Sequence, residues 1–259
     1  MRLYLSDIVS VWDSFQKSFY TVPLMMLLNT LFVVLAIKHR LIDKKFQILM
    51  VYGIAALIQD VISIIGMLIA KISVSVYDFT LTLDNITTIV FIQIEFYTFC
   101  RFLYYQFEDK PLARIINNIS NVIIIIFATA SVIVILASTA ILSNFISYLS
   151  VISSLLILTP SFYYFYVLFT DPPIKNLLTE PSFWITTGIA FLHSLNIPIF
   201  LINGYLELHL GAFWINIYII NYVAYCFMFI LFIIAILCQN SRKTNLPDPT
   251  PTLTTQKHY

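Results

Sequence analysis

The chain has 259 residues, of which 60% are hydrophobic and only 10% charged, with a net charge of +1 and a mean hydropathy of +0.90. A soluble domain carries about 25% charged residues, so a water-facing globular fold is excluded. The near-zero charge offers no field for nucleic acid, and the apolar stretches leave no length for a separate catalytic domain.

In chain order, residues 1–19 come first. Leu5, Ile8, Trp12, Phe15 and Phe19 recur at helical spacing, with Asp7, Asp13 and Lys17 between them. A signal peptide would need a basic start, an apolar run and a small-residue cleavage site. The pattern instead predicts an amphipathic helix lying in the membrane interface. A bilayer crossing takes about 20 apolar residues. Seven stretches qualify: 20–37, 46–70, 86–107, 115–142, 146–170, 182–206 and 212–239. The expected fold is all-α, a polytopic bundle of seven transmembrane helices over residues 20–239. Short connections with turn chemistry separate the spans. They hold Asp43 and Lys45, then Asp78, Asp84 and Asn85, then Glu108 and Pro111, then Ser143 and Asn144, then Asp171, Pro173, Glu180 and Pro181, and finally Gly211. Pro23, Pro160 and Pro198 fall inside spans and are expected to kink them. Residues 240–259 are polar and rich in Pro and Thr, which predicts a disordered tail.

Basic residues orient the bundle. Ten Lys and Arg fall in one set of loops and the tail, only Arg2, Lys17 and Lys71 in the other, and Arg101 lies within a span. The N-terminus is therefore expected outside and the C-terminus in the cytoplasm. Trp12, Tyr20, Tyr77, Tyr104, Tyr105, Trp184, Tyr205 and Trp214 read as interfacial belts. Cys100, Cys226 and Cys238 all sit in spans without metal-ligand spacing and read as buried apolar residues. Five glycines against 22 phenylalanines and 16 tyrosines predict bulky aromatic packing rather than close helix contacts.

Polar residues inside the spans carry the only clue to function, because such groups are costly in hydrocarbon. Counted from the outer ends at about 1.5 Å per residue, Asn29, Asp60, Glu95, Asn196 and Asn221 fall roughly 14–15 Å deep and His193 roughly 20 Å deep. This predicts one polar layer near the membrane centre. His193, Asn196 and Asn203 share a side of the sixth span, and Tyr218, Asn221, Tyr222 and Tyr225 a side of the seventh. Of the neighbours Gln59 and Asp60, the ionisable Asp60 is expected to point inward. Two carboxylates in a low-dielectric interior do not both stay charged unaided, so Asp60 and Glu95 are expected to share a proton, bind a cation or pair with protonated His193. The plainer reading is an interhelical hydrogen-bond network that fixes register. Arg101, about 9 Å from the inner end of its span, is expected to snorkel and stack on Tyr97, Tyr104 or Tyr105 as an anchor or cytoplasmic gate.

Walker A, GxSxG, HExxH and CxxC motifs are absent, and His39, His193, His209 and His258 are too dispersed for an intramembrane zinc site. No enzymatic activity, metal or other cofactor is expected. The last span has no lysine for a retinal Schiff base, and the PQ dipeptide of small sugar transporters is missing. Asn29 and Asp60 resemble the first two helices of G-protein-coupled receptors, but no Cys stands at the outer end of the third span and the last lacks NPxxY.

Glu95 in the third span, Pro181, Phe183 and Trp184 opening the sixth, and Asn221 followed by Tyr225 in the seventh resemble a family of small, uncharacterised seven-span integral membrane proteins of Bacteroidota-type bacteria. Ile217 or a neighbour stands where that family often has a His. The resemblance implies a multi-pass protein of the bacterial inner membrane. Its partners are expected to be the lipid bilayer and a cytoplasmic signalling protein or further copies of the chain. Three functions fit these residues: a sensor-like signalling subunit with a polar mid-membrane pocket, a small transporter or channel for an ion, proton or polar solute, and an accessory subunit of a membrane complex. The missing internal repeat and the scarce Gly hinges weigh against transport.

Overall fold

The computed structural model describes residues 23–38, 44–70, 74–107, 111–137, 142–170, 177–202 and 213–244. Among these the chain is all-helical, without a strand. The helices are α1 (Pro23–Lys38), α2 (Lys44–Ala70), α3 (Val74–Gln106), α4 (Pro111–Ala137), α5 (Leu142–Thr170), α6 (Pro181–Leu201) and α7 (Phe213–Thr244), with a 3-10 turn over Leu177–Thr179 before α6. Helices α2 to α7 are each long and apolar enough to cross a bilayer, whereas α1 is shorter over its described residues. The chain is thus a multi-pass membrane helix bundle. Helices meet the demand that backbone polar groups in hydrocarbon be bonded within the segment. Large apolar side chains cover the outside, Leu136 at 81% and Phe169 at 69% exposure among them.

Helix α3 is the hub. It packs on α2, α4 and α5 and more lightly on α6, while α6 runs between α5 and α7. A stripe of small buried residues, Ser150, Ser153, Ser154 and Ser161, lets α5 approach its neighbours; Ser153 and Ser161 return their hydroxyls to backbone carbonyls of their own helix. Helix α1 lies against both α2 and α7. The Phe32 ring meets Phe229 and Phe232, with centroids 6.0 and 5.5 Å away, and a Cβ added at Gly53 would fall 2.8 Å from the same ring. Gly188 allows a second close approach, to Met228 on α7. The core is aromatic as expected, but two of the five glycines also mark helix crossings.

Several boundaries differ from the sequence reading. Asp78, Asp84 and Asn85 lie inside α3, not in a connection, because α3 begins at Val74. Ser63 on α2 donates to Asp84 and Gln59 donates to Thr88, so partners across the seam carry this polar stretch into a helix. Leu142, Ser143 and Asn144 begin α5 rather than ending the fourth span. Helix α6 stops at Leu201, and α7 continues to Thr244, so the first residues assigned to the tail are helical. Glu180 takes the N-cap position of α6, with Pro181 in the first turn. Pro160 and Pro198 sit within continuous helices; Pro198 leaves the Ser194 carbonyl without its helical donor. The N-terminal segment 1–19, Asp43, Glu108, Asp171, Pro173, Asn203, Gly211 and most of the tail lie outside the described residues.

Candidate functional site

The α2–α3 seam holds three polar side-chain pairs in one unbroken antiparallel register: Ser63 with Asp84, Gln59 with Thr88, and Tyr52 with Glu95. Each step along α2 is matched by an opposite step along α3. Asp60 therefore lies opposite Thr87, and Glu95 is eight residues further along α3, about 12 Å at the helical rise. The expectation of a single layer is corrected by this register: the two carboxylates occupy two tiers. Depths counted from residues 70 and 86 misplaced both carboxylates, because the apolar span of α2 ends at Gly66 and that of α3 begins at Thr82.

The upper tier centres on Asp60, which is 6% exposed. Asn29 of α1, fully buried, stands beside it. The contact falls short of hydrogen-bond geometry, since both amide atoms of Asn29 and Asp60 Oδ2 are buried without a partner. Tyr222 on α7 lies within electrostatic reach of both Asp60 and Asp84. Asn221, next to it, has a buried Oδ1 that also lacks a partner. Gln59 is half-buried and spans Ser63 and Thr88, so Asp60 is the one that turns inward.

The lower tier centres on Glu95, 3% exposed. Its Oε1 accepts hydrogen bonds from the Tyr52 and Tyr225 hydroxyls, both at 3.3 Å, which ties α2, α3 and α7 together. Asn196 on α6 stands beside Tyr225, while its own Oδ1 has no partner. Both tyrosines also lie within electrostatic reach of Asp60; by the register Tyr52 stands opposite Glu95, in the lower tier. His193 pairs with neither carboxylate. Its Nδ1 lies 3.0 Å from Ser154 Oγ on α5, its ring edge meets Phe99, and its Nε2 has no partner. A carboxylate–histidinium pair, one of the three expected states, is thus not what the bundle builds.

Below Glu95 the polar groups give way to rings. Phe99 packs on Tyr52 at 4.6 Å and on Phe232 at 6.3 Å, and Phe229 joins Phe32, Tyr52 and Phe232. These four phenylalanines, drawn from α1, α3 and α7, are each at most 1% exposed. They pack against one another and against Tyr52.

Arg101 lies apart, half-buried at the α3–α4 contact. It stacks on Tyr97 and Tyr104, at 5.3 and 5.7 Å from the ring centroids. It donates to the Tyr97 hydroxyl and to Asn117 Oδ1 on α4. The aromatic stack matches the expectation; Asn117 does not appear in it, because facing across two helices is invisible in one helix's spacing. Since bonds to charged groups contribute about 1.5–3 kcal/mol when well buried and exposure lowers this, Asn117→Ala is expected to cost about 1 kcal/mol. Arg101→Lys should cost a similar amount by losing the planar stack. Thermal unfolding in detergent would read both, and melting curves identical to the parent's would refute the clasp as a stabilising contact.

Tyr52, Ser63, Thr88 and Ser154 are site residues that sequence reasoning passed over. Tyr52 had a signal: with Ala56 and Asp60 it recurs every four residues on α2. Compared with known proteins, the chain matches no family model, no curated protein and no solved structure.

Proposed function

We propose that the chain is a receptor-like sensor or signalling subunit, with a polar pocket inside the membrane and a separate cytoplasmic partner as its output. In this reading α1 is the seventh span, the N-terminus faces out, the C-terminus faces the cytoplasm, and the protein resides in a bacterial inner membrane. Loop charge supports the orientation. The observation that carries the functional reading is the end of the polar column. Asp84, Asp60 and Glu95 follow one another along the α2–α3–α7 seam, and the column then meets the packed rings of Phe99, Phe229 and Phe232. A transporter or channel needs access from both faces, whereas a sensor needs it from one.

Bonds from Glu95 to α2 and α7 supply a lever, because a change at the carboxylate alters how three helices are held. Proteoliposomes test the assignment. No ion or solute flux above that of empty vesicles is expected, and a cytoplasmic protein should co-purify with the parent chain but less with Glu95→Gln. Flux that Asp60→Asn and Glu95→Gln abolish would establish transport instead.

A further inference from the structure

The face of α2 that meets α1 carries a carboxylate. Gly53, where an added Cβ would strike Phe32 and Val33, marks that face, and Asp60 follows it at i+7, two turns on along the same side. Gln59 and Ser63, bonded to Thr88 and Asp84 of α3, lie on the neighbouring side. On α1, Asn29 stands one turn before Phe32 and Val33 and shares their side. Helices α1 and α2 follow each other closely in the chain and run antiparallel. Asn29 therefore comes level with Ala56 or Leu57, and Asp60 lies about 5 Å further on. Helical side chains lean towards their own N-terminus, which brings Asn29 and Asp60 towards each other across that gap. Asn29 is fully buried and both of its amide atoms lack a partner, as does Asp60 Oδ2.

We infer that Asn29 and Asp60 hold a small monovalent metal cation, sodium in kind, between α1 and α2, with Asp60 Oδ2 and Asn29 Oδ1 as its protein ligands and water completing the shell. The ion's role rests on the sensor reading; its binding rests on the geometry alone. A protonated Asp60 would close a direct bond to the Asn29 amide, but no hydrogen bond joins the two. A cation between them is ligated by both oxygens, and a water in its shell accepts from Asn29 Nδ2.

Charge and donor type set the class of ion. Asp60 is the only acidic residue in α1 or α2, and the Asn29 amide is neutral, so one positive charge balances the site. Asp84 is taken up by Ser63 on the α3 side, and Glu95 accepts from Tyr52 and Tyr225 in the lower tier. Side-chain cations are placed elsewhere. Arg101 is held by Tyr97 and Asn117, His193 is turned to Ser154, and Lys44 begins α2 about 24 Å from Asp60 along the helix. Carboxylate and amide oxygens are hard ligands that suit hard cations. No three His, Cys, Asp or Glu side chains converge among the described residues as a zinc site requires. Calcium draws on about six to eight oxygens, more than one carboxylate and one amide supply. The Gly53 crossing two turns away holds α1 and α2 close, which favours a small ion.

Sodium titration of the full chain in detergent micelles tests the site. Sodium chloride replaces choline chloride at constant ionic strength, and thermal unfolding and binding of radioactive sodium are both followed. The melting temperature should climb with the logarithm of sodium above its dissociation constant, and radioactive sodium should bind at one ion per chain. Asp60→Asn and Asn29→Leu should each abolish both responses. The preference for sodium over choline is read on the unmodified chain, so it stands even where a variant fails to fold. An equal climb with choline, no sodium response in either neutral or alkaline buffer, or sodium binding that survives Asp60→Asn would overturn the inference. A chain that captures a cytoplasmic partner yet binds no sodium loses the site and keeps the sensor reading. One that binds sodium but captures no partner keeps the site while the sensor reading falls.

Discussion

Glu95→Ala is expected to destabilise the bundle by about 2–5 kcal/mol, because it strands the buried Tyr52 hydroxyl at about 1–3 kcal/mol and the half-buried Tyr225 hydroxyl at somewhat less. The bonds themselves are long, at 3.3 Å, so the cost lies mainly in the orphaned donors rather than in the lost attraction. That distinction can be measured. Changing Tyr52 and Tyr225 to Phe in the Glu95→Ala background removes the stranded hydroxyls, and most of the lost stability should return. Reversible unfolding in mixed micelles would give each value, and a double-mutant cycle would isolate the Tyr52–Glu95 term. A Glu95→Ala chain within about 0.5 kcal/mol of the parent, inside the ordinary range for uninvolved sites, would show that the three groups do not hold α2, α3 and α7 together.

Gly53→Ala is the second large effect. The new Cβ would lie 2.8 and 2.9 Å from two carbons of the Phe32 ring and 2.9 Å from Val33 Cγ2. Phe32 cannot swing aside freely, since its ring is packed on Phe229 and Phe232 and is 1% exposed. Overpacking of this kind costs about 1–3 kcal/mol, and Gly53→Ala should fall in the upper half of that range. Gly188→Ala offers a control, because its nearest contact is the flexible Met228 side chain at 3.2 Å; it should cost less. Shortening the clashing ring with Phe32→Leu should recover part of the Gly53→Ala loss. Melting temperatures of the four chains decide the matter, and equal values for the two alanine variants would refute the tight α1–α2 crossing.

The spans were legible because hydrocarbon demands a simple property, continuous apolarity, that a window along one chain detects. Asp60, Glu95, Asn29, His193 and Asn196 were legible as buried polar residues for the same reason, standing out against their surroundings. Depth was not. Asp78, Asp84, Asn85 and the nearby threonines look like a loop when α3 is read alone, and only Gln59 and Ser63 on α2 explain why they are helical. Once α2 and α3 are set in register by these pairs, Glu95 drops a tier below Asp60. Pairings between helices, such as Ser154 with His193 or Gln93 with Ser131, depend on rotations about helix axes that no spacing within one helix encodes. The Gly53 crossing escaped for a related reason: a scarce residue in a bulky sequence signals close approach only when the opposing ring is known.

The polar N-terminal half of α3 bears on how the chain is made. Its mean hydropathy over the spanning window is 1.4, against 2.2 for α2. Alone in lipid, the Asp84 carboxylate and its neighbouring hydroxyls would face acyl chains, and charged groups within a span are costly to insert. Beside α2 the same groups find Ser63 and Gln59. The two helices are therefore best delivered to the bilayer as a hairpin, with α2 waiting at the translocon for α3. Weakening Ser63 or Gln59 would then act first on biogenesis, lowering the yield of correctly threaded chain before it alters the finished bundle.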